Sequence, residues 1–374
     1  MFTKKIIPAV LSMAVMLCAL CLSGSTNIRT QDIPLSAGSA ILICADSGQV
    51  LCEKDPDQKM PIASITKIMT AVIALEYAKK NDIEIRFTKQ MEAEGSSLYL
   101  KEGEVLKLSQ LTAGMMCVSG NDAANAVAIG IAGSLEDFAV MMNEKAAELG
   151  MSRTHFVTPS GLDDEEHYST ARDMALLCRY AMSMESFASI VSKKSLTVSY
   201  VLPKGKTQSC TNHNKLLAAY DGCIGIKTGF TKRAGRTLTS CAERDGVRLI
   251  AVTLKAPDDW NDHKRLLDYG FSVTEGIKAV KKEQDFLLPV VGGNAGFVKV
   301  RPRDDCICTV LKGKEPDITI RIFMPHFVYA PQYKGTSAGR ICCCINGVKT
   351  AETELIYAED AYFNENDQPL DQKG

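Results

Sequence analysis

The chain has no strong charge of either sign. Its 43 lysines and arginines meet 44 aspartates and glutamates, a formal net charge of -1 over 374 residues. A nucleic-acid binder carries a basic stripe, so that class is excluded. Histidine is scarce: His155, His167, His213, His263 and His326 are scattered, and none falls in an H-E-x-x-H or similar spacing. No metal and no cofactor is therefore expected. No C-x-x-C units give metal-finger spacing either. After Leu22 no stretch is long and apolar enough to cross a bilayer as a helix. Repeats and low-complexity tracts are missing too.

Cysteine is not scarce. Fourteen occur, two of them (Cys18 and Cys21) in the first apolar run. Cys306/Cys308 and Cys342/Cys344 each point to one face of their expected strands. A disulfide or metal site between those strands is one reading. Cysteine as a small hydrophobe is the preferred one.

The beginning of the chain has a secretion pattern. Lys4 and Lys5 precede an apolar run from Ile6 to Leu22, followed by Ser23-Gly24-Ser25. Residues 1–25 are read as a signal peptide, with a retained anchor as the minority alternative. Leu20 before Cys21 argues against lipidation. The expected location is outside the cytoplasm, at the cell surface or secreted.

Ser39–Ala45 and Gln49–Glu53 flank the turn Asp46-Ser47-Gly48 and read as a hairpin. From about Ser64 to Lys80 runs a helix apolar on nearly every face, which marks a buried helix. Ser64 and Lys67 are three apart and share a face of its first turn. A buried lysine is costly unless used. A serine needs a nearby base, and lysine becomes one when burial or a second cation lowers its pKa. The pair alone is common, and a chance match is the bland reading.

A helical region follows: about 109–117, 122–131, 135–149 and a helix opened by 169–173 with Ser or Thr as its N-cap and running to about 184, with a loop at 155–168 between the last two. Strands return at 196–202 and 225–229. Arg236–Glu243 and Val247–Lys255 form a hairpin about Arg244-Asp245-Gly246, and 263–269 closes the domain as a helix. Strands at both ends of a helical region predict one antiparallel sheet covered by helices. From residue 275 short alternating strands and Gly/Pro turns predict a small all-β domain, with a polar tail after it.

Two further motifs decide the matter. Ser119-Gly120-Asn121 sits between apolar helices, and Lys227-Thr228-Gly229 ends a strand. With Ser64-x-x-Lys67 they match, in order, the three-part signature of penicillin-interacting serine enzymes. The chain resembles the serine D-alanyl-D-alanine carboxypeptidases, the low-molecular-mass penicillin-binding proteins, over roughly residues 36–360. Val118–Ala123, Glu148–Met151, Gly161–Asp164, Tyr168–Ala171, Asn214–Leu217, Gly225–Gly229, Arg244–Gly246, Leu266–Phe271 and Ala330-Pro331 to Lys334-Gly335 carry the likeness.

The resemblance implies an α+β fold of the penicillin-binding/β-lactamase-like transpeptidase type, with a C-terminal all-β domain. It divides the chain into a signal peptide (1–25), a catalytic domain (36–272), a β-rich domain (276–361) and a polar tail (362–374). It implies that Ser64 attacks the bond between two D-alanines of a peptidoglycan stem peptide, with Lys67 as base. Ser119 would relay protons, and Asn121 would hold the substrate amide and orient Lys67. Lys227 and Thr228 would bind the terminal carboxylate, and Gly229 would let substrate lie along the strand. Backbone N–H groups of Ser64 and Phe230 would form the oxyanion hole. Arg248 would assist at the carboxylate, and β-lactams would trap Ser64. Asp163 and Asp164 are expected to order the loop near the site.

Two features depart from the family pattern: Phe230 stands where Tyr or His is frequent, and Asn364–Gly374 is polar rather than an amphipathic helix. A β-lactamase, an endopeptidase and a non-catalytic penicillin or muropeptide sensor are the rivals.

Overall fold

The computed structural model describes residues 33–364. The expected signal peptide and residues 365–374 of the polar tail lie outside them. The chain opens with β1 (Ser39–Cys44) and β2 (Val50–Lys54), then a 3-10 turn (Ala63–Thr66) that runs directly into α1 (Lys67–Lys80). Next come β3 (Glu84–Arg86), β4 (Val105–Lys107), α2 (Leu108–Val118), α3 (Asn121–Ala132), α4 (Leu135–Glu148), α5 (Ala171–Ser183) and α6 (Glu185–Val191). A small hairpin, β5 (Ser195–Ser199) and β6 (Thr207–Thr211), leads to α7 (Leu216–Ala219). The domain closes with β7 (Cys223–Thr231), β8 (Gly235–Arg244), β9 (Val247–Leu254) and α8 (Asp259–Val273).

Five strands form one antiparallel sheet in the order β2-β1-β9-β8-β7, so the two ends of the domain meet at β1 and β9. Side chains alternate between its faces. Ile41, Ile43, Cys241, Ile250 and Val252 point into the core shared with α1 to α5. Ala40, Leu42, Leu238, Ala242, Leu249 and Ala251 point into a second core under α8. Both faces of β1 are covered, and all six of its residues are buried. The β8–β9 turn needs left-handed backbone, which Asp245 (φ 51) and Gly246 (φ 77) supply.

α1 runs through the middle of the helical layer, and every residue from Lys67 to Leu75 is buried. Its Ile68 and the preceding Ile65 are fully enclosed, each stabilising the fold by about 1.5–3 kcal/mol. Its start differs from expectation. Ser64 is not in the α-helix but in the 3-10 turn before it, where Ala63 has φ 50.

The second domain follows α8 without a linker. It contains β10 (Thr274–Val280), β11 (Phe286–Val291), β12 (Phe297–Pro302), β13 (Cys306–Leu311), β14 (Ile318–Phe323), β15 (Val328–Tyr329), β16 (Ser337–Ile345) and β17 (Val348–Tyr357). A six-stranded sheet, β14-β16-β17-β12-β11-β15, accompanies the pair β10-β13. Thr309 N donates to Asp46 (2.8 Å), and Lys312 Nζ donates to the carbonyls of Phe271 and Ser272 at the end of α8. Such a cation complements the negative end of a helix. The described cysteines are free thiols. Cys343, not Cys342 or Cys344, shares a core with Cys306 and Cys308, because alternation puts its neighbours on the other face.

Candidate active site

Three remote segments converge on the 3-10 turn. Lys67, the first residue of α1, has no exposed surface. Its Nζ donates to Ser64 Oγ (2.9 Å), Asn121 Oδ1 (2.7 Å) and the Ser160 carbonyl (2.7 Å). These use all three hydrogens of an ammonium. Burial pushes its pKa well below the usual lysine value, and the neighbouring Lys227 cation pushes it further; Asp122 opposes both. A neutral Lys67 could accept the Ser64 proton across that 2.9 Å contact.

Asn121 begins α3, directly after Ser119-Gly120. Its Nδ2 donates to Glu94 O (2.6 Å), and its N–H to Ser96 O (2.7 Å), so the 92–100 segment holds the amide with its oxygen toward Lys67. Asp122 anchors that segment by accepting from Ser97 Oγ, Leu98 N and Leu100 N. Ser119 caps the end of α2 in the left-handed region (φ 61) and is 5% exposed. Its hydroxyl forms no hydrogen bond with the described residues.

β7 is an edge strand, and its open side faces the turn. Lys227 is buried, and desolvation lowers its pKa to about 7. Its Nζ donates to Thr228 O (2.9 Å). Gly229 is required for a reason beyond substrate access. A Cβ there would lie 2.4 Å from Thr237 Oγ1 and 3.0 Å from Ser64 N, so the absence of a side chain lets the catalytic turn rest on the strand. The Phe230 ring is 66% exposed at the rim.

The loop at 155–168 supplies the third side. Besides the Ser160 carbonyl, Pro159 O accepts from Thr70 Oγ1 (2.6 Å). Asp163 accepts from Thr231 Oγ1 (2.7 Å), tying the loop to β7 as expected. Asp164 instead serves the loop's own turn, accepting from Glu166 N.

One expected residue is misplaced. Arg248 stands second in β9 opposite Glu243, at the end of the sheet away from Lys227, which pairs with Thr239. Its Nε and Nη2 bind Glu243 (2.8 and 2.7 Å). With Arg179 and Asp46 it lines a cavity of about 700 Å³ against the β-rich domain. The strand register therefore removes Arg248 from the Ser64 group. The Ser–Lys chemistry lies elsewhere, along the open edge of β7. Sequence reading also missed Ser160, Asp122 and Glu94. Asp122 was adjacent to a recognised motif, whereas Ser160 and Glu94 act through carbonyls, which side-chain motifs do not reveal.

With this geometry in view, comparison with known proteins is decisive. Residues 26–258 match the D-alanyl-D-alanine carboxypeptidase family, and residues 275–362 match the C-terminal domain of penicillin-binding protein 5. The chain belongs to the D-alanyl-D-alanine carboxypeptidase family. It is 33% identical to the carboxypeptidase DacF of Bacillus subtilis over 344 residues, 89% of this chain and 87% of the relative. DacC of Escherichia coli is 32% identical over 353 residues, with 89% and 86% covered. Among solved structures, penicillin binding protein 5 from Haemophilus influenzae superposes with a TM-score of 0.62 at 28% identity, covering 88% of this chain and 98% of that one. The α+β fold with an all-β C-terminal domain is the family's. The protein is a serine-type D-Ala-D-Ala carboxypeptidase, a penicillin-binding protein of peptidoglycan metabolism.

Proposed function

We propose that the enzyme removes the terminal D-alanine of peptidoglycan pentapeptides through an acyl-enzyme on Ser64. The observation that carries this reading is the Lys67 Nζ, 2.9 Å from Ser64 Oγ, buried beside a second buried lysine. Neutral Lys67 takes the hydroxyl proton as Ser64 Oγ attacks the carbonyl carbon between the D-alanines. The backbone N–H groups of Ser64 and Phe230 receive the oxyanion. The C–N bond then breaks, and the proton passes through Ser119 to the leaving amine. Cationic Lys227, with Thr228, holds the departing carboxylate while substrate lies along the open edge of β7. Asn121 orients Lys67 and the substrate amide. Water then attacks the ester, giving its proton back through Lys67 to Ser64 as the shortened peptide leaves.

β-Lactams enter the same first step and stay on Ser64. No described carboxylate hydrogen-bonds Ser64 or Lys67, and this favours slow release over β-lactamase turnover. The charged start and apolar run at residues 4–22 support action outside the cytoplasm, where this substrate lies.

D-Alanine release from a diacetyl-Lys-D-Ala-D-Ala peptide tests the reading, with fluorescent penicillin labelling alongside. Wild type is expected to do both and Ser64→Ala neither. Labelling without D-alanine release would instead identify a sensor, and release by Ser64→Ala would end the acyl-enzyme account.

A further inference from the structure

The loop that delivers the Ser160 carbonyl to Lys67 is fastened by a buried ring that the chemistry above does not use. His167 Nδ1 accepts the N–H groups of Val157 (3.0 Å) and Thr158 (3.3 Å). A nitrogen that accepts amide hydrogens has no proton of its own, so the neutral ring carries its proton on Nε2. Nε2 lies 2.8 Å from Thr66 Oγ1, which this tautomer makes the acceptor. Thr66 immediately precedes Lys67. The ring is 3% exposed, with Phe156 edge-on against it at 5.7 Å between centroids. One imidazole thus ties the backbone two and three residues before Ser160 to the residue before Lys67.

We propose that His167 is a positioning residue for the carboxypeptidase reaction, a neutral imidazole bolt that holds Ser160 O at hydrogen-bonding height over Lys67 Nζ. This rests on the reading of Lys67 as the base. If the loop lifts, Lys67 Nζ loses an acceptor and swings toward another, and the contact with Ser64 Oγ loosens. Such a displacement of about 1 Å costs on the order of 10²-fold in rate.

The charges facing the ring are Lys67 from the start of α1 and His155, Asp163 and Asp164 from the loop itself. Burial disfavours a cation most; the aspartates oppose that, while His155 and Lys67 add to it, and the ring titrates at about 4. Protonation would place a hydrogen on Nδ1 against two amide donors. The bolt therefore holds at neutral pH and opens as the pH falls through about 4.

The test compares wild type, His167→Phe and His167→Gln by amide hydrogen exchange across residues 155–168, kcat and KM. Phe keeps the ring and loses both hydrogen-bonding nitrogens. Gln offers an oxygen to the amides and an NH2 to Thr66. His167→Phe is expected to lose protection at Val157 and Thr158 and about 10²-fold in kcat, with KM little changed. His167→Gln is expected to restore both and to keep the loop closed at pH 4, where wild type opens. A Phe variant as protected as wild type, a loosened loop with unchanged kcat, or a Gln variant no better than Phe would each overturn the proposal. If the Phe variant does not fold, the comparison of Gln and wild type at pH 4 and pH 7 still decides. Wild type that is protected as described but releases no D-alanine would refute the Ser64 reading, while exchange still judges the bolt.

Discussion

Gly161 offers a direct measure of how tightly the 155–168 loop is seated. It has φ 79, and a Cβ added there would lie 2.0 Å from Ala63 O and 2.6 Å from Thr66 Oγ1. Alanine would pay about 1–2 kcal/mol for the left-handed backbone. It would also collide with the catalytic turn. Ordinary contact is about 3.5 Å, so the loop must withdraw by roughly 1.5 Å. Ser160 O now accepts from Lys67 at 2.7 Å, and that withdrawal takes it beyond hydrogen-bond range. A buried donor left without its acceptor costs about 1–3 kcal/mol.

Gly150 provides the control. Its φ is 77, yet nothing lies within 4 Å of its added Cβ. Gly150→Ala should therefore cost only the backbone energy and leave turnover unchanged. Gly161→Ala should cost about 1–3 kcal/mol more, at about 2–4 °C in Tm per kcal/mol for a domain of this size. Its kcat should drop about 10²-fold. Thermal melts and D-alanine release from the diacetyl peptide read both. If Gly161→Ala melts and turns over like Gly150→Ala, the loop is not pressed on the turn, and the argument from Ser160 to Lys67 is wrong.

Lys227 must be a cation to hold a carboxylate, and in the free enzyme it loses its proton as the pH rises through about 7. The kcat/KM profile should fall on its alkaline side near that value. Lys227→Gln should lose activity and that limb together; an unchanged limb would reassign it. His263 is buried between Ser240 Oγ and Thr253 Oγ1, and burial lowers its pKa to about 3. Since the unfolded chain takes this proton first, stability is full above about pH 6.5 and declines as the pH falls toward 3, by an amount on the order of 4 kcal/mol. Urea melts between pH 7 and pH 4 should show the slope, and His263→Gln should flatten it. Asp122 satisfies Ser97, Leu98 and Leu100, and Asp122→Ala strands buried donors. Each costs about 1–3 kcal/mol, so a Tm drop comparable with that of a surface substitution would contradict its anchoring role.

The sheet-and-helix layout of the first domain was legible because its periodicities are strong. β1 is apolar after Ser39, α1 is apolar around its circumference, and Arg244-Asp245-Gly246 is turn chemistry that leaves little choice. The short elements were not legible. α6 and α7 span seven and four residues, too few to display a 3.6-residue period. Gly229 was recognised through its motif, but the turn that crowds it lies far along the chain. The exact start of α1 was blurred for the opposite reason: a 3-10 turn continuing into a helix keeps Ser64 and Lys67 adjacent under either description.

The sequence by itself determined that Ser64 and Lys67 would touch, because a separation of three along a helical turn is a local geometric fact. It also determined the layers, since the apolar pattern of each element dictates which face is buried. Only the tertiary structure decided what Lys67 is chemically. Its remote acceptors come from 54 and 93 residues away, and the depression of its pKa comes from burial and from Lys227 on β7. The register of β9 likewise decided that Arg248 pairs with Glu243 and not with a substrate. Desolvation, through-space charge and strand register depend on which atoms meet in three dimensions, and spacing along the chain does not record that.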